Sequence, residues 1–181
     1  MAAPIRSLLV PMAAMVAVVA LSNYAVQFPL NDWLTWGAFT YPFSFLVVDL
    51  TNRAFGAARA RRVVYVGFAL GVALSVAIAG WRIGLASGAA FLVAQLLDIW
   101  VFDRLRRQAW WRAPLVSTFV SSVLDTVIFF AAAFAGTGLP WVSWAAGDYT
   151  VKVVMALLCL APYRALMAAF APGLIAPPVT R

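Results

Sequence analysis

The sequence predicts an all-α integral membrane protein with six transmembrane helices. Three observations lead to this fold class: 65% of the 181 residues are hydrophobic, 10% are charged, and the mean hydropathy is +0.95. Soluble domains are about half apolar and about a quarter charged, so the polar residues here are too few to cover a core of this composition. In lipid the backbone must satisfy its own hydrogen bonds, which favours helices.

Six apolar segments follow one another along the chain. A helix needs about 20 residues to cross about 30 Å of hydrocarbon, and each segment has roughly that length. The predicted spans are residues 8–26, 33–50, 63–80, 84–102, 115–135 and 142–160. Because the connections are short, we expect residues 1–181 to form a single membrane domain.

Three of these segments carry further signals. The first follows a basic start and would also fit a cleaved signal peptide, but its apolar run is long, so we expect a retained helix. In the second, Pro42 lacks an amide hydrogen and is expected to kink the helix. The third has a small residue at every fourth position, a pattern that indicates close packing against another helix. These residues are Gly67, Gly71, Ser75 and Ala79.

The basic residues divide unevenly between the two ends of the predicted spans. Only Arg82 falls on one side, and Lys152 lies inside the sixth segment. The other eleven cations share the opposite side: Arg6, Arg53, Arg59, Arg61, Arg62, Arg104, Arg106, Arg107, Arg112, Arg164 and Arg181. Positive loops remain in the cytoplasm, so both termini are expected there. Topology thus accounts for the net charge of +7, and no nucleic-acid partner is expected.

Four ionisable residues lie deep in the predicted spans: Asp98, Asp125, Asp148 and Lys152. A charge at mid-membrane costs about 2.5–3.5 kcal/mol on insertion scales, so such residues face the bundle interior and pair or bind something. Asp125 and Lys152 are about equally far from the turn at 136–141, which places them at similar depth. Asp148 and Lys152 are spaced i,i+4 on one helix. Both pairings can hold together.

Other polar side chains align with this charged centre. Ser117 and Ser121 share a helix face with Asp125. Gln95 shares one with Asp98, and Asn23 lies at the outer end of the first segment. A polar interior of this kind indicates a binding pocket, and the alternative is a purely structural hydrogen-bond network between helices.

Four runs, in this order, resemble the vitamin uptake transporter family, whose characterised members import queuosine precursors. They are "FTYPFSFLVVDLTNRAFG" (39–56), "AQLLDIWVFDRLRR" (94–107), "SVLDTVIFFAAAF" (122–134) and "VKVVMALLCLAPYRAL" (151–166). One departure is Arg53, which stands where an acidic residue is common in the family.

The resemblance implies a bacterial inner-membrane importer of 7-cyano-7-deazaguanine, 7-aminomethyl-7-deazaguanine or a related purine-like base. It also implies a fold similar to the substrate-binding subunits of energy-coupling-factor transporters. The family positions that match are Asp49, Asn52, Gln95, Asp98, Asp125 and Lys152; the polar and aromatic patterns add Ser121, Asp148, Phe43 and Asn23 as candidate binding residues. A carboxylate can accept from the adjacent ring N–H and amino group of such a base, and Lys152 or Gln95 can donate to its carbonyl.

Other functions fit the sequence less well. Lys152 would keep nearby carboxylates ionised, which disfavours an intramembrane protease that uses Asp98 and Asp125. With one cysteine (Cys159) and no His or Glu, no metal or cofactor site is expected. A scaffold, or a transporter subunit for another vitamin-like solute, remains as an alternative. The sequence leaves open how transport is energised, whether by facilitated diffusion, by protons or by an energising partner, and whether the chain forms a homo-oligomer.

Overall fold

The structure, a computed structural model, describes residues 8–25, 28, 30–31, 34 and 36–170. Within these residues all regular structure is helical, as predicted. The helices are α1 (Leu9–Ala25), α2 (Gly37–Thr40), α3 (Phe43–Phe55), α4 (Ala57–Leu105), α5 (Arg112–Phe134) and α6 (Trp141–Phe170). The end of the first predicted span at Val26, the start of the second at Trp33, and both terminal arginines lie outside the described residues.

Helix α4 is a hairpin of two antiparallel arms, residues 57–79 and 81–105. Its chain reverses at Gly80, where φ is 81° and ψ is 168°, a region that is essentially reserved for glycine. A Cβ placed on Gly84 would lie 2.6 Å from the backbone nitrogen of Val76, and one on Gly88 would lie 2.3 Å from Val72 Cγ2. In a straight helix these pairs would be about 12 and 24 Å apart. The two arms therefore pack directly against each other.

Within the described part of the chain, length and composition qualify three helices to cross a membrane: α4, α5 and residues Trp141–Ala169 of α6. Helix α1 is a shorter apolar helix of 17 residues. Large apolar side chains are exposed on the outside of the bundle, among them Val10 at 77%, Trp81 at 72% and Val142 at 64%. Such a surface is suited to lipid, since a soluble protein rarely exposes apolar area on this scale.

The second predicted span is interrupted where its proline stands. Helix α2 ends at Thr40, and α3 begins directly after Pro42, as expected for a residue that lacks an amide hydrogen. Short turns carry the chain across the break: Tyr41 N donates to Gly37 O at 2.9 Å, and Ser44 N donates to Tyr41 O at 2.9 Å. Because Tyr41 lies between the two helices, the direction of its side chain is not set by the face that α3 buries.

The predicted packing face of the first α4 arm is confirmed at Gly67, Gly71 and Ser75, whose partner is α1, whereas Ala79 is exposed. A Cβ on Gly67 would lie 2.7 Å from Met15 Cγ, and one on Gly71 would lie 3.4 Å from Val19 Cγ1. One turn further, Ser75 Oγ donates to the side-chain oxygen of Asn23 at 2.7 Å. Met15 and Val19 belong to the main apolar core, together with Val48, Phe91 and Ile99.

At the arginine-rich end, the helices are tied together by Arg53, whose side chain is largely buried. Its guanidinium donates to Tyr163 OH at 3.0 Å, to Arg106 O at 2.6 Å and to Trp110 O at 3.3 Å. Arg106 in turn donates to Asn52 O at 2.6 Å. We call these four residues, Arg53, Arg106, Trp110 and Tyr163, the arginine latch. It joins α3, the end of α4 and α6, and it closes this end of the bundle.

Candidate functional site

A cavity of about 910 Å³ lies inside the bundle. It begins at the half-buried side chain of Tyr41 and the buried side chains of Asp125 and Lys152, and it extends to the end of the bundle that contains the Gly80 turn. This is the end opposite to the arginine latch. Every helix except α3 contributes lining residues. The volume falls in the range of about 300–1,000 Å³ that is typical of small-molecule sites.

The floor of the cavity carries three charges. Lys152 Nζ lies 2.6 Å from Asp125 Oδ2 and also pairs with Asp148 Oδ2. The predicted position of Lys152 between two carboxylates is thus confirmed. Thr126 completes the cluster, because it accepts from Lys152 at 3.1 Å and donates to Asp148 Oδ2 at 2.8 Å. With one ammonium and two carboxylates, the floor has a net charge of −1.

Tyr41 is part of this floor, although the sequence analysis did not select it. Its hydroxyl donates to Asp125 Oδ1 at 3.0 Å. Its ring centroid lies 5.5 Å from Lys152 Nζ, at the distance of a cation–π contact. The tyrosine therefore holds both members of the ion pair, one through its hydroxyl and one through its ring. The one available signal was its place directly before an intramembrane proline.

One wall of the cavity is aromatic. Phe129 and Phe130 meet edge to face with their ring centroids 5.1 Å apart, and Phe134 meets Trp144 in the same way at 5.6 Å. All four residues line the cavity above the charged floor. Small residues of α4, including Gly71, face the cavity from another side. This arrangement suits a flat molecule that offers its edge to the floor and its faces to the rings.

The floor is rich in hydrogen-bond acceptors. Each carboxylate oxygen has two lone pairs, and the contacts above use one on each oxygen of Asp125. Both contacts of Asp148 go to a single oxygen, Oδ2. All three hydrogens of the Lys152 ammonium are engaged, by Asp125, Asp148 and Thr126. In chemical terms, the site can accept hydrogen bonds from a ligand with adjacent N–H groups.

A second polar cluster lies deeper, toward the arginine latch, and does not line the cavity. Ser121 donates to Asp98 Oδ1 at 3.1 Å. Asp49 Oδ1 accepts from Ser117 at 3.4 Å, and its Oδ2 accepts from Thr118 at 3.5 Å. Both aspartates are almost completely buried.

Two amides adjoin this cluster. Gln95 donates to Ser44 Oγ at 2.9 Å, and Asn52 donates to Ile99 O at 3.2 Å. We refer to Asp49, Asn52, Gln95, Asp98 and Ser121, with the hydroxyls of Ser117 and Thr118, as the lower polar cluster.

The candidate residues therefore separate into groups. Asp125, Asp148 and Lys152 form the cavity floor, and Asn23 lines the cavity beside Ser75. Asp49, Asn52, Gln95, Asp98 and Ser121 belong to the lower polar cluster. Phe43 is 38% exposed and is not part of the lining. Among the described residues, no group of three or more Cys or Asp side chains is close enough together to hold a metal ion.

Comparison with known proteins places the chain in a family. Residues 35–80 and 74–167 match the family described as "Putative vitamin uptake transporter". The chain is 37% identical over 174 residues to the queuosine precursor transporter of Escherichia coli (strain K12). This alignment covers 80% of this chain and 79% of that protein. It is 34% identical over 186 residues to a probable queuosine precursor transporter of Haemophilus influenzae, with the same two coverages.

A third relative is a probable queuosine precursor transporter of Bacillus subtilis (strain 168), 29% identical over 71% of this chain and 69% of that protein. No solved structure is significantly similar to the chain. The two matched ranges cover more than half of the chain, and they include the cavity floor and the lower polar cluster. The chain is a member of the vitamin uptake transporter family, as the four sequence runs indicated.

Proposed function

We propose that this chain imports a queuosine precursor, a base of the 7-deazaguanine class, through the bacterial inner membrane. The observation that carries the proposal is the buried group of Asp125, Lys152 and Asp148 at the floor of a 910 Å³ cavity. Ionisable groups at such depth are costly, and in membrane proteins they mark substrate pathways. The names of the relatives point to the same class of substrate.

The chemistry of the floor fits the edge of a deazaguanine. The ring N–H and the amino group of the base lie side by side, so the two oxygens of Asp125 can accept both. Tyr41 and Lys152 hold that carboxylate in place from either side. Because the ammonium has no unused hydrogen, Lys152 donates to the carbonyl of the base only if it releases Thr126. The rings of Phe129 and Phe130 stack on the base, a contact worth about 1–3 kcal/mol by analogy with nucleic-acid binding.

The proposal includes six membrane spans, with both termini in the cytoplasm. Counting the two arms of α4 separately, and α2 with α3 as one interrupted span, gives six apolar helical passages. This number agrees with the fold of the substrate-binding subunits of energy-coupling-factor transporters, which the resemblance implies. With the arginine latch in the cytoplasm, the cavity opens to the outside, the side from which an importer takes its substrate.

The test is uptake of a radiolabelled deazaguanine by cells that cannot synthesise queuosine precursors. We expect the wild-type chain to support uptake, and Asp125→Asn and Lys152→Met to abolish it while both proteins remain in the membrane. Asp103→Asn, which alters a half-exposed aspartate next to Arg106, is the matched control and should transport normally. Normal uptake by the Asp125 and Lys152 variants would refute the site. An absence of uptake with the wild-type chain would refute the function.

A further inference from the structure

The lower polar cluster is short of hydrogen-bond donors. Three hydroxyls serve the four carboxylate oxygens of Asp49 and Asp98, at 3.1–3.5 Å. Two of these hydroxyls also have backbone acceptors: Ser121 lies 2.5 Å from Ser117 O, and Ser117 lies 3.3 Å from Pro114 O. A hydroxyl has one hydrogen and can serve one acceptor at a time. Fewer hydrogens are therefore available than the carboxylates need.

Three buried oxygens in this cluster have no donor at all. They are Asp98 Oδ2, Asn52 Oδ1 and Gln95 Oε1, all in side chains that are completely buried. The amide of Asn52 is held at the carbonyl of Ile99, the residue next to Asp98. A buried acceptor without a partner costs about 1–3 kcal/mol, so an additional hydrogen that satisfies one of these three oxygens would stabilise the cluster.

Among the described residues, no cation forms an ion pair with Asp49 or Asp98. In the part of the chain that the structure describes, the ion pairs are those of Arg106 with Asp103 and of Lys152 with Asp125 and Asp148. Arg53 follows Asp49 by one turn on α3 and is near enough for its charge to act on that carboxyl group. Its guanidinium, however, donates its hydrogen bonds to Tyr163 and to the carbonyls of the arginine latch.

The other side chains that face Asp49 and Asp98 are uncharged. Helix α6 contributes Cys159 and Tyr163, which share a small crevice with Asp49, and α5 contributes only hydroxyls at this level. The carboxyl groups of Asp49 and Asp98 are within hydrogen-bonding range of each other. Two buried carboxylates at such range do not both ionise but hold one proton between them.

We propose that Asp49 and Asp98 form a proton-binding site that couples the proposed import to the proton gradient. The proton is bound as an O–H on one carboxyl group, and this O–H donates a hydrogen bond to the other carboxyl group or to the unpartnered amide oxygen of Asn52 or Gln95. The proton leaves to the cytoplasm as transport proceeds. The pair of aspartates then carries an additional negative charge. The inference rests on the proposed function for its coupling step, while the shared proton stands without it.

Helix α5 connects the two sites. Ser117, Ser121 and Asp125 are spaced four residues apart on one face, about 6 Å per step. Ser121 binds Asp98, and Asp125 belongs to the cavity floor. A change of charge at Asp49 and Asp98 therefore acts on the same helix face that carries Asp125, the carboxylate proposed to bind the substrate. Chains of Asp residues in this kind of position serve as proton relays in other transporters.

The coupling test uses the purified chain in vesicles, with radiolabelled 7-cyano-7-deazaguanine as the probe. We expect wild-type protein to exchange the base without any gradient, and to accumulate it inside alkaline vesicles by up to about tenfold per pH unit if one proton moves with each molecule. Asp49→Asn and Asp98→Asn should keep the exchange and lose the accumulation, whereas Asp103→Asn should keep both. Exchange without pH-driven accumulation in the wild type, or accumulation driven by a sodium gradient instead, would overturn the coupling and leave the proposed function intact.

The proton itself is tested without any substrate. Infrared difference spectroscopy of the purified wild-type protein near neutral pH should show the carbonyl stretch of a protonated carboxyl group. The double variant Asp49→Asn/Asp98→Asn should lose this band, and Asp103→Asn should retain it. If the wild-type protein shows no such band, the proton site is wrong, whatever the transport assays give. If the band is present but no base is exchanged, the site stands and the proposed function fails.

Discussion

Replacement of Lys152 by methionine tests the charge balance of the cavity floor. The floor has a net charge of −1, and Lys152→Met would change this to −2, with two carboxylates left side by side. Asp125→Asn would change it to 0 and would leave the pair of Lys152 and Asp148 in place. The two substitutions remove one charge each, yet we expect Lys152→Met to lose much more stability than Asp125→Asn, because only the first leaves buried charges without a partner.

The size of the effect follows from the geometry. The side chains of Lys152 and Asp125 are 6% and 5% exposed, and their charged atoms are 2.6 Å apart. At an effective dielectric constant of about 20, the gross attraction is about 6 kcal/mol. Since desolvation offsets part of it, loss of one partner of a buried pair costs about 3–5 kcal/mol. For a chain of this size that lowers the unfolding temperature by about 6–20 °C, while Asp125→Asn, at about 1 kcal/mol, lowers it by less than about 4 °C.

The assay is thermal unfolding of the purified variants in detergent. Arg107→Met is the matched control, since it removes a cation from an exposed position, and it should unfold at the wild-type temperature. The reasoning would be refuted if Lys152→Met unfolded within about 2 °C of the wild type, or if Asp125→Asn lost as much stability as Lys152→Met.

Two further predictions concern the hydroxyl of Tyr41 and the close approach of the two α4 arms at Gly84. Tyr41→Phe keeps the ring and removes the hydroxyl that donates to Asp125; we expect the affinity for a labelled deazaguanine in equilibrium binding to fall about tenfold, and an unchanged affinity would exclude Tyr41 from the site. Gly84→Ala would place a Cβ 2.6 Å from the backbone nitrogen of Val76, and this should cost about 1–3 kcal/mol in thermal unfolding. Gly147→Ala, which meets nothing within 4 Å, should unfold at or above the wild-type temperature; equal behaviour of the two variants would argue against the α4 hairpin.

Composition and periodicity were sufficient to predict the helical class and the approximate position of each apolar segment. The reversal near Gly80 falls where the sequence predicts the end of a span, because glycine there permits a backbone conformation that other residues avoid. Pro42 likewise marked its own break. The ends of the helices were harder to predict from the sequence. Helix α6 continues through Pro162 to Phe170, ten residues past the predicted end at 160. Nothing in the sequence shows how far a helix extends beyond the hydrocarbon.

The ion pairs of Lys152 were predictable because of local geometry. Its partner Asp148 lies one turn away, and a tight turn between α5 and α6 fixes the relative depth of Asp125. Contacts between distant helices carried no such signal. Tyr41 is 84 residues from Asp125, and Arg53 is 110 residues from Tyr163. Their pairing depends on how the helices rotate against one another, which helix periodicity alone does not specify.

The division of the polar interior into two levels was also beyond the sequence. Helix periodicity shows that Gln95 and Asp98 share a face, and that Ser121 and Asp125 share another. It does not show where along those faces the cavity ends. In the structure, Tyr41 and the charges of the floor end the cavity above Asp98. Residues that looked like one site in the sequence therefore became a cavity floor and a separate buried cluster.

In the proposed function, Asp125 receives the donor edge of a deazaguanine at the cavity floor. The most direct measurement is an experimental structure of the protein saturated with 7-cyano-7-deazaguanine. We expect density for the base between Phe129, Phe130 and the small residues of α4, with its ring N–H and amino group within hydrogen-bonding distance of Asp125. Density for the base elsewhere in the protein, with the floor unoccupied, would contradict the account.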